Sequence, residues 1–305
     1  PTAETGQQRK SSPRWVLPAI GGVVLLAIIA VVAVVLLRPS SSPTHTATGP
    51  KIATWFPEHF SAPAGLAIDS HGAIYVADSG DNKVVKLSRH GKVLASFGGT
   101  GKSGLLKPSG VAVDAAGNVY VADSGHDRAV EYSPAGRLLR TWNSGSASDR
   151  RHWDPVDVTL GARGNLYVTD TGNNLVQHLS LSGNWQTPYA GFKHPTGIAV
   201  DSRASIFVAD TGRNMVEELA WSTDLLNQSK AGQFQAPQGV AIDQQGNVYV
   251  ADTGNNRIVK LSPRFSVLKV WGAQGGLNRP TAVAVGSDGR IYVADGGDNR
   301  VGRLR

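Results

Sequence analysis

Short apolar runs separated by turn residues recur along residues 51–305 with a period in the forties. Between Gly239 and Trp271 four such runs stand out: Gly239 to Asp243, Asn247 to Ala251, Arg257 to Leu261 and Val267 to Trp271. The breaks between them, "DQQGN", "DTGNN" and "SPRF", are made of turn formers. Four strand-like runs per period predict the blades of a β-propeller. The first two runs of each period are almost continuously apolar, as expected of strands covered on both sheet faces.

Two phrases mark each period. A proline opens the first run, at Pro63, Pro108, Pro155, Pro195, Pro237 and Pro280, with spacings of 45, 47, 40, 42 and 43 residues. An aspartate closes the second run, at Asp78, Asp123, Asp170, Asp210, Asp252 and Asp295. The sixth period ends at "VGRLR" without a fourth run, whereas "KIATWF" (Lys51 to Phe56) precedes the first period. That N-terminal strand is expected to complete the last blade and hide two strand edges at once. The fold expectation is therefore an all-β, six-bladed propeller over 51–305, with four-stranded blades.

The repeated aspartates read as scaffold. Each begins a tight loop, where its side chain can accept loop N–H groups while a following glycine adopts positive φ. "DSGDN" and "DTGNN" do not complete a calcium-loop ligand set. The departures from symmetry carry more information. The phrase ends in Lys83, Arg128, Arg257 and Arg300 in four repeats but in Leu175 and Met215 in the others. The loops entering the first strand lie on the same face and contribute Lys107, Asp154, His194 and Arg279 just before the prolines. The longest of them adds Arg150, Arg151, His152 and Trp153. These residues predict a recognition surface around blades 3 and 4, with Trp153 as apolar anchor and basic residues as its rim. A plainer reading has each terminal Arg pairing with the nearby Asp.

Composition adds a second region. Trp15 to Leu37 is a 23-residue run without a charge, about 35 Å long as a helix and enough to span a bilayer. Three basic residues precede it and Arg38 alone follows immediately, which places residues 1–14 in the cytoplasm and everything after the span outside. Residues 38–50 are rich in Ser, Thr and Pro, the composition of a solvated tether. The chain has no cysteine, so disulfides and thiolate metal sites are excluded. Of the net charge of +7, the first 38 residues supply +3 (Arg9, Lys10, Arg14 and Arg38 against Glu4), leaving +4 for the rest. That is too diffuse to indicate nucleic-acid binding.

The paired phrases P-x-G-[IV]-A-[IV]-D and G-x-[IVL]-Y-V-[AT]-D-x-G-x-N-[RK]-[IV] resemble the NHL repeat. With the anchor and tether, the architecture is similar to the extracellular sensor end of actinobacterial transmembrane serine/threonine kinases. That resemblance implies a single-pass membrane protein that displays a ligand-binding propeller and forms part of a signalling chain, with any kinase domain upstream. The expected partner is a protein, peptide or cell-envelope ligand, and no cofactor is called for. Members of the fold also include propeller lyases, which implies an alternative: a metal-dependent lyase drawing on His59, His152 and His194, though a family ligand pattern is not reproduced at these positions. "GGTGKSG" (Gly98 to Gly104) lacks the glycine spacing of a phosphate-binding loop.

Overall fold

A computed structural model describes residues 53–99, 104–143, 152–161, 164–272 and 276–305. The Trp15–Leu37 run and Arg151 lie outside these residues. Among the described residues no helix is long and apolar enough to cross a membrane.

Six antiparallel sheets follow one another along the chain. Blade 1 is β2 (Pro63–Ile68), β3 (Ile74–Asp78), β4 (Lys83–Leu87) and β5 (Val93–Gly98). Blade 2 is β6 (Pro108–Val113), β7 (Val119–Asp123), β8 (Arg128–Tyr132) and β9 (Leu138–Asn143). Blade 3 has β10 (Pro155–Leu160), β11 (Asn165–Asp170) and β12 (Leu175–Ser180). Blade 4 is β13 (Pro195–Val200), β14 (Ile206–Asp210), β15 (Met215–Leu219) and β16 (Leu225–Gln228). Blade 5 is β17 (Pro237–Ile242), β18 (Val248–Asp252), β19 (Arg257–Leu261) and β20 (Val267–Trp271). Blade 6 combines β21 (Pro280–Val285), β22 (Ile291–Asp295) and β23 (Arg300–Leu304) with β1 (Ala53–Trp55).

The expected closure is present. Strand β1 pairs antiparallel with β23, with Ala53 opposite Leu304 and Trp55 opposite Gly302. Blade 3 departs from the four-stranded expectation. Its fourth segment touches β12 only through isolated bridges, Val176 to Tyr189 and Leu179 to Trp185. Pro188 sits between those contacts and has no N–H to donate, so a continuous ladder cannot form there.

Packing explains the apolar second strands. The buried side chains fall into six clusters, and each draws on two adjacent blades. Alternate residues of β3, for instance, go to different neighbours: Tyr75 and Ala77 face blade 2, while Ile74 and Val76 face blade 6. A strand covered on both faces has no polar side, hence the unbroken apolar phrase. The innermost strands approach closely. A Cβ on Gly65 would lie 2.5 Å from the Ser109 carbonyl oxygen, and one on Gly110 would lie 2.5 Å from Asp157 Cα.

The register also shows why the two phrases travel together. In every blade the opening proline is the cross-strand partner of the closing aspartate, with a bulge immediately after the proline. The aspartate in turn faces the first residue of the third strand, as in Asp78 opposite Lys83 and Asp252 opposite Arg257. Proline suits the first position of a strand beside a bulge because it has no N–H for the ladder.

Candidate recognition site on the entry-loop face

One edge of the disc carries the loops entering each first strand and the turns between second and third strands. The six aspartates lie under it, fully or almost fully buried. Their hydrogen bonds are longer-range than the sequence implies. Asp78 Oδ1 accepts the N–H of Ser61 at 2.7 Å, and Asp123, Asp210, Asp252 and Asp295 accept those of Leu106, Lys193, Gln235 and Asn278. Each aspartate therefore ties its turn to the entry loop of the same blade rather than closing only its own loop.

The glycine of the phrase is needed for close approach, not for positive φ. Gly254 donates its N–H to the Gln235 carbonyl at 2.8 Å, and a Cβ there would sit 2.6 Å from that oxygen. The left-handed position falls instead on Asn82, Asp127, Asn174, Asn214, Asn256 and Asn299, with φ between 53° and 59°. Asn tolerates this conformation better than most residues. Five of these side chains also fasten the next blade. Their Oδ1 atoms accept the N–H of Lys107, His194, Ala236, Arg279 and Ala62 at 2.7–2.8 Å. A hydroxyl after the aspartate adds a second fastening at four junctions. Ser124, Thr171, Thr211 and Thr253 donate to the carbonyls of Pro155, Pro195, Pro237 and Pro280.

The basic residues at the phrase ends turn inward, which is the plainer of the two sequence readings. Arg128, Arg257 and Arg300 donate to Asp123, Asp252 and Asp295 at 2.6–2.8 Å, while Lys83 stands 3.7 Å from Asp78. Where Leu175 and Met215 replace them, other donors substitute. Asn173 and Gln177 reach Asp170, and Arg213 reaches Asp210. Burial still raises some of these carboxyls. Asp78 is pushed up to about 6, with the Ser61 N–H and the distant Lys83 opposing. Asp295 also reaches about 6, because burial outweighs the Asn278 N–H and Arg300.

The expected apolar anchor is corrected by the structure. Trp153 is only 2% exposed. It packs with Trp142, Leu166 and Leu179 between blades 2 and 3 and meets Trp185 edge-on at a centroid distance of 5.6 Å. Every blade has an apolar plug of this kind: Phe60, Leu105, Phe192, Phe234 and Leu277 fill the other five junctions. Those five stand three residues before the proline, whereas Trp153 stands two before.

That one-residue shortening breaks the symmetry of the face. Asp154, the residue before Pro155, gives its N–H to Asp170 at 3.2 Å and lacks the positive φ of its five counterparts. Among the described residues no backbone N–H of blade 3 bonds to Asp127, whose carboxylate instead meets His152 Nε2 at 3.0 Å, with the His152 side chain 77% exposed. Blade 3 also carries Asp157 and Thr169 where other blades have Gly or Ala. Asp157 accepts the N–H groups of Val158 (2.9 Å) and Ile198 (3.0 Å), and Thr169 Oγ1 donates to the Thr196 carbonyl at 2.7 Å. Burial pushes the Asp157 carboxyl up to about 7.

Of the expected site residues, His152 is exposed and Leu175 and Met215 are half-buried at the starts of β12 and β15. Lys107, His194 and Arg279 are exposed but enter alternate blades, so the fold does not gather them. Among the described residues no three of His, Asp or Glu converge as a metal site, so His59, His152 and His194 do not form one.

Five stretches match the NHL repeat: residues 60–87, 105–128, 153–179, 234–261 and 277–304. The chain thus carries NHL repeats, and blade 4 is the unmatched blade. No curated protein sequence matches. Among solved structures the fold is similar to that of a catalytically inactive virginiamycin B lyase from Staphylococcus aureus, at 18% identity and TM-score 0.61, covering 82% of each chain. A streptogramin B lyase aligns at 15% identity and TM-score 0.64, over 83% of this chain and 96% of that one. A gluconolactonase from Xanthomonas campestris aligns at 16% and 0.65, over 81% and 87%.

Proposed function

We propose that the chain is a membrane-anchored NHL propeller displayed outside the cell, and that its entry-loop face around blades 2 to 4 binds a protein, peptide or cell-envelope ligand. In this reading it is the sensor portion of a signalling receptor. The observation that carries it is the local loss of sixfold symmetry on that face. Elsewhere the turns and entry loops are fastened to one another by the same bonds, as a scaffold requires. At blades 2 to 4 an exposed His152–Asp127 pair replaces one fastening, and Leu175 and Met215 present half-buried apolar side chains where other blades place a cation. An apolar centre with a polar rim is the anatomy of a contact surface. The anchor rests on the uncharged run Trp15 to Leu37, and the outward orientation on the basic residues before it.

A peptide library displayed on phage, panned against the chain, tests the reading. Selected peptides should lose about tenfold or more in affinity for a His152→Ala, Met215→Lys double variant. Peptides that bind both proteins equally would contradict it.

A propeller lyase is the second reading, favoured by the fold shared with the two lyase structures. Metal analysis separates the two. About one tightly held ion per chain supports the lyase, and a metal-free chain that retains peptide binding contradicts it.

A further inference from the structure

We propose that the opposite face of the disc docks on an anionic lipid bilayer. Strand direction defines this face: it carries the turns between third and fourth strands, at Ser88–Lys92, Ser133–Arg137, Ala220–Asp224 and Ser262–Ser266. Trp221, in the blade 4 turn, is 63% exposed. Its backbone is held in place, because the Trp221 carbonyl accepts the Tyr189 hydroxyl at 2.9 Å.

The fourth strands leave this face with exposed apolar residues. Val93 and Leu94 open β5, Leu139 follows the first residue of β9, Leu225 and Leu226 open β16, and Val267 and Leu268 open β20. Blades 1 and 2 lie across the ring from blades 4 and 5, so the apolar residues flank the face on two opposing sides and suit a flat surface. Between them these turns present exposed Arg89, Lys92, Arg137 and Arg264 against Asp224. The turns between first and second strands on the same face add Asp114 together with four aspartates that are paired with Lys86, Arg203, Lys260 and Arg290, a net charge of +2 among the described residues. Those ion pairs, such as Lys86 with Asp69 and Arg290 with Asp288, engage none of Arg89, Lys92, Arg137 and Arg264. An exposed Trp among Leu and Val, with cations beside them, is the chemistry that holds proteins at a headgroup interface.

The path of the chain favours a bilayer over other occupants. Strand β1 runs antiparallel to β23, so the polypeptide joins the propeller at Ala53 on this same face. Only residues 38–52 separate that point from the uncharged run, a reach of at most about 50 Å. The proposal rests on the anchored reading only for why a bilayer is at hand.

The experiment uses the propeller Lys51–Arg305, which contains every described strand and core cluster, with its fold verified by circular dichroism. Co-sedimentation is measured with vesicles of phosphatidylcholine alone and with roughly one third phosphatidylglycerol. Binding is expected for the anionic vesicles, weakening with salt. A Trp221→Ala, Leu225→Ser, Leu226→Ser variant, its fold verified in the same way, should bind about tenfold less, since all three exposed side chains are removed from the proposed contact. Failure to sediment with anionic vesicles overturns the proposal, as does undiminished binding by the variant. Concentration-dependent dimerisation lost in the variant, without vesicle binding, assigns the patch to a second copy and also overturns it. Because residues 1–50 and the entry-loop face play no part in this assay, its failure leaves the anchor and ligand readings standing.

Discussion

Asp127 Oδ2 lies 3.0 Å from His152 Nε2, at the junction of blades 2 and 3. At the other five junctions the equivalent residue is an Asn that holds a backbone N–H of the next blade. Among the described residues the pair thus stands where the other junctions place a backbone hydrogen bond.

It should contribute little to stability. His152→Ala is expected to change the unfolding free energy by less than about 1 kcal/mol, because exposed ion pairs are screened. Asp127→Ala should cost more, about 1 kcal/mol, since the left-handed φ of 53° disfavours Ala. Urea denaturation of both variants measures the difference, and a larger loss for His152→Ala makes the pair structural instead.

Trp153 behaves oppositely. As a plug between blades it should cost about 3–5 kcal/mol when truncated to Ala, the range for large buried aromatics. A variant with an unchanged thermal midpoint would return Trp153 to the surface role that its sequence position implies.

Gly254→Ala tests the close approach of turn and entry loop. The new Cβ would lie 2.6 Å from the Gln235 oxygen, so a loss of about 1–3 kcal/mol is expected. Gly232→Ala is the control, because nothing lies within 4 Å and only its φ of 73° is unfavourable. Equal losses at both sites would mean that crowding plays no part.

Asp157 should make stability pH-dependent. Its folded carboxyl titrates near 7, above the ordinary 3.8. A raised acid binds its proton more readily when folded, so its contribution is fully present below about pH 4 and fades as pH rises through 7. Asp78 and Asp295 act in the same direction, while His178, lowered by burial, opposes them below its ordinary 6.5. Comparing wild type with Asp157→Asn isolates the single group. The wild type should gain more stability between pH 7.5 and 5 than the variant, and parallel profiles would refute the assignment.

The blades were legible because strand period, proline spacing and the missing last strand each follow from local sequence. Ring closure by residues 53–55 could be read from a spare run at one end and a gap at the other. Trp153 is buried although its sequence context, a loop with polar neighbours, points to exposure. The apolar residue two or three positions before every proline was present in the sequence, but its burial depends on a neighbouring blade. The Asp127–His152 pair joins residues of two blades, so no single repeat contains it. Its one visible trace is Asp where the other phrases have Asn.

The central claim is that the broken symmetry marks the ligand surface. Hydrogen exchange of the chain with and without a phage-selected peptide tests it most directly. Protection confined to the turns and entry loops around Asp127, His152, Leu175 and Met215 is the predicted result. Protection on the opposite face, or spread evenly over all six blades, would contradict it.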